Sequence, residues 1–382
     1  MAVNQLKLEA LLRWLAAGAP PQSDYGATVA ELGRRMVDLG IQLDFIAIYQ
    51  IPLNPLLGGL RYTWEPRSGT RVREHPHAEM TSDLFIGGVV HAALTTDRTT
   101  RYPVGKTPRF DEHPGSERII AGGHKEFIVF PFQFTGRYTG CFAVAARDVD
   151  RLPDDQFDAC RRLMAPLARV VQSEIQRQSG DALLRTYLGK DASTRVSAGM
   201  VKRGDAEMIR AVILFTDLIG FTELSNRLAI EETVGLLNRY FEALEVPIIT
   251  NGGEVLKLMG DGLLAVFPTP DDLTSEEGAA LSALSAVADA RAALAGSDIA
   301  FRAAFHVGEI HYGNIGGLSR LDFTAIGPSV NLASRLLDAA ARAKVQATCS
   351  AAFARLAPDA TREIGTFDLK GFDAPQLIFD AS

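Results

Sequence analysis

Ala211-Val-Ile-Leu-Phe-Thr-Asp-Leu-Ile-Gly-Phe-Thr222 and Val255-Leu-Lys-Leu-Met-Gly-Asp-Gly-Leu-Leu-Ala-Val-Phe267 decide how this chain is read. The first opens with an apolar run, Ala211 to Phe215, of the kind that fills a buried strand. Asp217 follows just past its end. The second is a pair of apolar runs around Gly260-Asp261-Gly262. Asp-Gly between two such runs signals a hairpin, because glycine adopts the backbone angles of the turn at little cost. Between the two stretches, Glu231 to Ile249 carries Val234, Leu237, Tyr240, Phe241, Leu244 and Ile248 at helical spacing. Asp217 and Asp261 therefore both lie at strand ends. If the strands are neighbours, two carboxylates share one rim of a sheet. Such hard oxygen ligands suit Mg²⁺ or Mn²⁺ held together with substrate phosphates.

The 382 residues are enough for two ordinary domains. With 47% hydrophobic and 22% charged residues, the composition is that of a globular protein. No apolar run reaches the roughly 20 residues of a membrane helix. The N-terminal residues lack the basic start and apolar block of a signal peptide. Cys141, Cys160 and Cys349 have no metal-ligand spacing and read as buried thiols in a reducing cytoplasm. The net charge of −7 argues against a nucleic-acid surface, yet leaves room for a phosphate site built from a few local cations.

Upstream, Gln5–Ala17 and Tyr25–Leu39 read as helices, the first stopped by Pro20-Pro21. Leu43–Tyr49 and Leu60–Trp64 read as strands, and Arg98–His113 as loop. Glu126–Phe134 and Thr139–Ala146 read as antiparallel neighbours joined through Gly136. Asp154 opens a long helix whose stripe is Phe157, Cys160, Met164, Leu167, Val171 and Ile175, with a break expected at Ser179-Gly180. The aromatics Phe45, Tyr49, Tyr62, Trp64, Phe127, Phe130 and Phe132 suit a core better than a ligand pocket. His75, His77, His91, His113 and His124 match no metal motif and read as surface or satisfied residues. Downstream, Pro268–Thr274 reads as loop, Ser275 as the N-cap of an Ala-rich helix, and Ser329–Ala341 as a helix. Phe367–Gly371 and Leu377–Phe379 close the sheet.

Two resemblances follow. Roughly Tyr25–Gln178, above all Ala143–Phe157, resembles a GAF-type sensor domain, with a PAS-like or unrelated α+β domain as the alternative. From about Arg203 to Leu377 the chain resembles the class III adenylate/guanylate cyclase catalytic domain. This match is carried by Phe215–Thr222, Gly253–Gly262, His306–Glu309, Gly313–Gly316 and Ile326–Arg335. The fold expected is α+β: residues 1–178 a GAF-like regulatory domain, 179–209 a linker, and 210–382 a ferredoxin-like cyclase catalytic domain.

The cyclase resemblance implies conversion of ATP to 3′,5′-cyclic AMP and pyrophosphate by a head-to-tail homodimer with two Mg²⁺ or Mn²⁺ ions per site. Asp217 and Asp261 match the family's metal ligands, with the carbonyl of Leu218 adding a bond. The backbone of Ile219, Gly220, Phe221 and Thr222 is implied to cradle the β- and γ-phosphates. Asn331 and Arg335 match the residues that orient the ribose and neutralise the α-phosphate. They are four apart, hence on one helix face. Lys370 matches a contact to the terminal phosphates. Lys257 and Thr324 match the adenine-reading pair, and Lys257 on an otherwise apolar strand needs a polar destination in any case. Asp322, two residues before Thr324, is open to a supporting role. Thr324 marks a subgroup responsive to bicarbonate, and a guanylate cyclase usually carries Glu at position 257. Gly327-Pro-Ser-Val stands where the family often has Gly-Asp-Thr-Val, and Pro328 suits a helix start.

Other readings are a catalytically weak nucleotide-binding sensor, a guanylate cyclase, or a palm-type diguanylate cyclase. The last lacks its Gly-Gly-Asp/Glu-Glu-Phe turn here, and no P-loop motif occurs. A nucleic-acid partner and a membrane span are not expected. An N-terminal effector, a small molecule or an ion such as bicarbonate, is.

Overall fold

A computed structural model describes residues 2–20, 24–136, 139–269 and 273–382. Pro21 and Pro270-Asp-Asp272, read above as part of a helix stop and of a loop, lie outside the described residues. The chain divides into two units, 1–186 and 187–382.

The first unit opens with α1 (Gln5–Ala16) and α2 (Tyr25–Asp38). Each begins where a short polar side chain takes an early backbone N–H. Asn4 accepts from Lys7, and Asp24 from Ala27. Six strands follow: β1 (Phe45–Ile51), β2 (Gly59–Glu65), β3 (Gly69–His75), β4 (Thr100–Pro103), β5 (Glu126–Pro131) and β6 (Thr139–Ala146). They form one antiparallel sheet in the order β3-β2-β1-β6-β5-β4. Helix α3 (Val89–Thr96) precedes β4, and the short α4 (Pro108–Asp111) and α5 (Glu117–Ala121) precede β5. The long α6 (Asp154–Leu188) is the last element of the unit, its final two residues belonging to the second. The period of two along β1 sorts its side chains between two cores. Ile46 and Ile48 pack with Leu163, Val171 and Ile175 of α6, whereas Phe45 and Ala47 pack with Ala93, Phe110 and Phe127.

Two expectations fail here for local reasons. Arg98–His113 is not all loop, because it holds β4 and α4. Thr-Arg-Tyr-Pro shows no apolar alternation, since β4 is an edge strand held by its neighbour. Arg101 of β4 grips the Glu126 carboxylate of the neighbouring β5 at 2.7 and 3.0 Å. Helix α6 does not break at Ser179-Gly180. Ser179 is buried and its hydroxyl accepts the Leu53 amide at 3.0 Å, while glycine within a helix costs only about 1 kcal/mol.

The second unit opens with α7 (Lys190–Ser197) and the long β7 (Ala206–Leu218). Next come α8 (Phe221–Ser225), α9 (Ile230–Thr250), β8 (Glu254–Met259), β9 (Gly262–Thr269) and α10 (Leu273–Ala293). The rest is β10 (Phe301–Gly316), β11 (Leu321–Ile326), α11 (Pro328–Ala343), β12 (Ala347–Ser350), α12 (Ala351–Ala354), β13 (Arg362–Phe367) and β14 (Gln376–Asp380). The sheet order is β13-β14-β12-β10-β7-β9-β8, with β11 paired to β10. Its inner part, β10-β7-β9-β8 with α9 and α10 as crossovers, is the β-α-β-β-α-β arrangement of a ferredoxin-like core. The continuous apolar run of β7 is explained by cover on both faces. Val212 and Leu214 pack with Leu236, Tyr240 and Leu244 of α9, while Ile213 and Phe215 pack with Val330, Ala333 and Leu336 of α11. Helix α10 is described from Leu273 to Ala293, so Ser275 lies within it and not ahead of it. Pro328 is at the first position of α11.

Cys141, Cys160 and Cys349 are free and buried, and burial pushes the thiols of Cys160 and Cys349 up to about 12. No described helix is long and apolar enough to cross a membrane.

Candidate active site

The centre of the second unit is the β8–β9 hairpin against β7. Met259 pairs with Gly262, so Gly260 and Asp261 are the two turn residues of Gly260-Asp261-Gly262. Gly260 has φ +68°, whereas Asp261 is not among the residues with positive φ. This is the turn geometry that needs glycine only at its first central position. The pairing puts Asp261 at the corner of the hairpin. Asp217 is the penultimate residue of β7, within the strand, and lies opposite Gly262.

The two carboxyl groups meet there. Burial and then the nearby Asp261, by charge and by hydrogen bond, push Asp217 up to about 6. Arg302, its cross-strand partner on β10, pulls it down, and Asp338 of α11 adds a smaller push up. A carboxyl whose proton affinity is raised by burial and by a second carboxyl beside it marks a site that a divalent cation would relieve. Among the described residues no group of three or more His, Cys, Asp or Glu side chains is placed to hold a metal. A two-carboxylate set suits Mg²⁺ or Mn²⁺, which take part of their shell from water and phosphate. The floor of the site is fixed from the other face of β7, where the Thr216 hydroxyl and the Tyr240 phenol are hydrogen-bonded at 2.8 Å and buried.

Beyond Asp217 the chain turns into α8. The Leu218 side chain is buried. The Ile219 amide donates to the Ala300 carbonyl at 2.9 Å, so it is spent inside the unit. Gly220, with φ +75°, turns the chain to start α8 at Phe221. The amides of Gly220, Phe221 and Thr222 belong to the opening of that helix, where N–H groups lack intrahelical acceptors.

A second group gathers where β8 and β11 approach. Lys257 and Asp322 form an ion pair, each side chain 42% exposed. Thr324 is buried two residues along β11, opposite Gly313 of β10. Asn331 is exposed on the first turns of α11, and Arg335, a turn later, reaches Asp338 at 3.3 Å. Lys370 is exposed in the turn between β13 and β14. The structure thus joins Asp217 to Asp261, and Lys257 to Asp322. The residues that the sequence reading missed are Arg302 and Asp338. Arg302 could have been found as the one cation in the apolar strand Phe301–Phe305. Asp338 follows Arg335 by three residues and so shares its helix face.

Residues 206–374 match the family model described as the adenylate and guanylate cyclase catalytic domain. This part of the chain is a cyclase catalytic domain. Among relatives of the cyclase domain is the uncharacterized protein Rv1320c of Mycobacterium tuberculosis. It is 33% identical over 177 residues, which are 45% of this chain and 30% of that protein. Rv1319c of the same organism is 30% identical over 165 residues, covering 43% and 30%. The chain therefore spans about 30% of the length of these relatives. Among solved structures, the adenylyl cyclase CyaB from P. aeruginosa is 27% identical, covering 46% of this chain and 95% of that one at a TM-score of 0.39. The guanylyl cyclase Cya2 is also 27% identical, covering 46% and 92% at a TM-score of 0.39.

Proposed function

We propose that the protein is an adenylate cyclase that converts ATP to 3′,5′-cyclic AMP and pyrophosphate at sites shared across a homodimer. The observation that carries this reading is the Asp217–Asp261 pair, two mutually repelling carboxyls at the rim of a cyclase catalytic domain. In the reaction the ribose 3′-oxygen forms a bond to the α-phosphorus. The bond from that phosphorus to the bridging oxygen breaks, pyrophosphate leaves, and the hydroxyl proton is lost. Asp217 and Asp261, with the Leu218 carbonyl, would hold two divalent ions, which supply charge balance and lower the pKa of the attacking hydroxyl. The amides of Gly220, Phe221 and Thr222, together with Lys370, receive the leaving phosphates. Asn331 orients the ribose, and Arg335 neutralises charge that grows on the α-phosphate.

Adenine is favoured over guanine because Lys257 offers a donor to a ring nitrogen. Its pairing with Asp322 supports the role left open for that aspartate, which aims the ammonium. Thr324 supplies the partner for the exocyclic amine. Residues 1–178 regulate as a GAF-like unit, a reading supported by the six-stranded antiparallel sheet and the long α6. Residues 179–209 transmit to the catalytic part, 210–382. Thr324 also supports bicarbonate as an effector that raises turnover. The test is to incubate purified protein with ATP or GTP and Mg²⁺ or Mn²⁺ and to identify the product. Cyclic AMP from ATP is expected; preferential use of GTP would move the reading to a guanylate cyclase.

A further inference from the structure

The first unit contains a cavity of about 450 Å³, within the usual range of small-molecule sites. It lies on the face of the sheet opposite α6. Tyr49 of β1 and Arg61 of β2 are cross-strand partners, as are Arg61 and Arg73 of β3, so all three share that face, and His75 is two residues on. Much of the remaining wall is apolar, including Met80, Leu84, Phe85, Val89, Val90 and Phe110.

Five buried polar atoms on residues lining this cavity have no partner; two belong to Gln50, whose side chain alternates to the opposite face of β1 from Tyr49, and three, Arg61 Nε, His75 Nε2 and His113 Nε2, remain on the cavity side. Buried polar atoms are nearly always hydrogen-bonded, so three orphans around one space are informative. Their hydrogen-bonding sense follows from their other contacts. His113 Nδ1 accepts the Gly115 amide at 3.0 Å, so the ring carries its proton on Nε2, a donor. A Cβ on Gly88 would come within 2.9 Å of that ring, so the glycine is what lets His113 sit there. His75 Nδ1 lies 3.0 Å from the Glu79 carboxylate and must carry the proton toward it. Burial favours the neutral ring, which leaves His75 Nε2 an acceptor. Arg61 Nε is a charged donor.

Of the other charged residues that line the cavity, Glu117, which is exposed, has no ion pair among the described residues, and the rest are matched. Arg73 and His75 engage Glu79, and Arg118 engages Glu65. Among the described residues Arg61 has no carboxylate at ion-pair distance; its guanidinium lies 5.9 Å from the Tyr49 ring centre. The cavity therefore offers one unmatched cation, a second donor, one acceptor and an apolar wall.

We propose that this cavity binds an organic hydroxy acid with an apolar body. The carboxylate accepts from Arg61 and His113, a hydroxyl donates to His75, and the body lies along Met80, Phe85 and Val90. The inference is independent of the cyclase reading, because its test measures binding and not turnover.

Calorimetric titration of the full chain with 3-hydroxydecanoate, decanoate and decan-1-ol tests it. Saturable binding with one site per chain is expected, tightest for 3-hydroxydecanoate and weakest for the alcohol. Arg61→Met should weaken both acids at least tenfold and leave the alcohol unchanged, while Arg61→Lys should restore part of the loss. His75→Phe should bring the two acids to equal affinity. Thermal unfolding of each variant without ligand separates lost binding from lost folding. The proposal is overturned if neither acid binds up to roughly 1 mM, if the alcohol binds as tightly as the acids, if the two acids bind equally to the native protein, or if a folded Arg61→Met variant keeps its affinity.

Discussion

At the scale of single residues, the carboxylate pair has opposite consequences for stability and turnover. Asp217 and Asp261 repel one another across a hairpin corner, so removing one charge should cost function and not folding. Asp217→Asn and Asp261→Asn are each expected to lower turnover by on the order of 10²–10³ or more. In metal-free buffer both should unfold at the same temperature as the parent or higher. Initial rates and thermal melts check this, and near-normal cyclic AMP production by either variant would remove that residue from the metal site. His306 gives a prediction about acid. Its ring is buried, with Nδ1 2.7 Å from the Ser350 hydroxyl, and burial first, then Arg210, push its pKa down to about 4. Below the ordinary value of about 6.5 the unfolded chain takes up a proton that the folded ring refuses, so stability falls as pH drops from about 6.5 to about 4. The loss from this residue is on the order of 1–3 kcal/mol. Urea titrations across that range should show a shallower slope for a folded His306→Phe variant than for the parent.

At the scale of elements, the β8–β9 hairpin and α7 carry the next predictions. Gly260 has open space around the position of a Cβ but a φ of +68°. Gly260→Ala therefore meets backbone strain and no clash. It should cost roughly 1–2 kcal/mol and move Asp261 off the rim, so that activity falls further than stability. Denaturant midpoints and rates on the same sample separate the two effects. Helix α7 defines where the catalytic part can be cut. Ala192 is buried in the second unit's core, Leu188 packs on it, and the Asp191 amide donates to Glu254 at 2.7 Å. A chain starting at Tyr187 should fold and keep measurable turnover at an altered basal level, whereas one starting at Arg195 loses these contacts and should melt several degrees lower. Complete inactivity of a folded, dimeric chain from Tyr187 would contradict the assignment of catalysis to this part.

At the scale of the whole molecule, the proposed dimer makes a quantitative claim. If Asp217 and Asp261 of one subunit work with Lys257, Thr324, Asn331 and Arg335 of the other, each symmetric dimer has two composite sites. Asp217→Ala and Arg335→Ala proteins, each inactive alone, should then recover activity when mixed. Half the dimers are mixed at equal amounts, and one of their two sites is free of both lesions, so recovery should approach roughly a quarter of the parent. No recovery between variants that exchange subunits freely would exclude sites shared in this way.

The sequence by itself determined the catalytic half in outline. Apolar runs of β7, β8 and β9 and the helical stripe of α9 are local patterns, and two carboxylates at strand ends are visible wherever the strands are. Local pattern also fell short. It left the two turn residues open within Gly260-Asp261-Gly262, because the glycines flank Asp261 symmetrically and only the Met259–Gly262 pairing distinguishes them. It broke α6 at Ser179-Gly180, where the Leu53 contact comes from the segment after β1, far away in sequence. It read β4 as loop, since an edge strand with polar residues is defined by its neighbour and not by periodicity. Tertiary structure alone joined Lys257 to Asp322, set Arg302 opposite Asp217, and enclosed Arg61, His75 and His113 around one cavity. Each depends on which strands lie side by side, and that is settled by packing between segments remote in sequence, not by the preferences of any one segment.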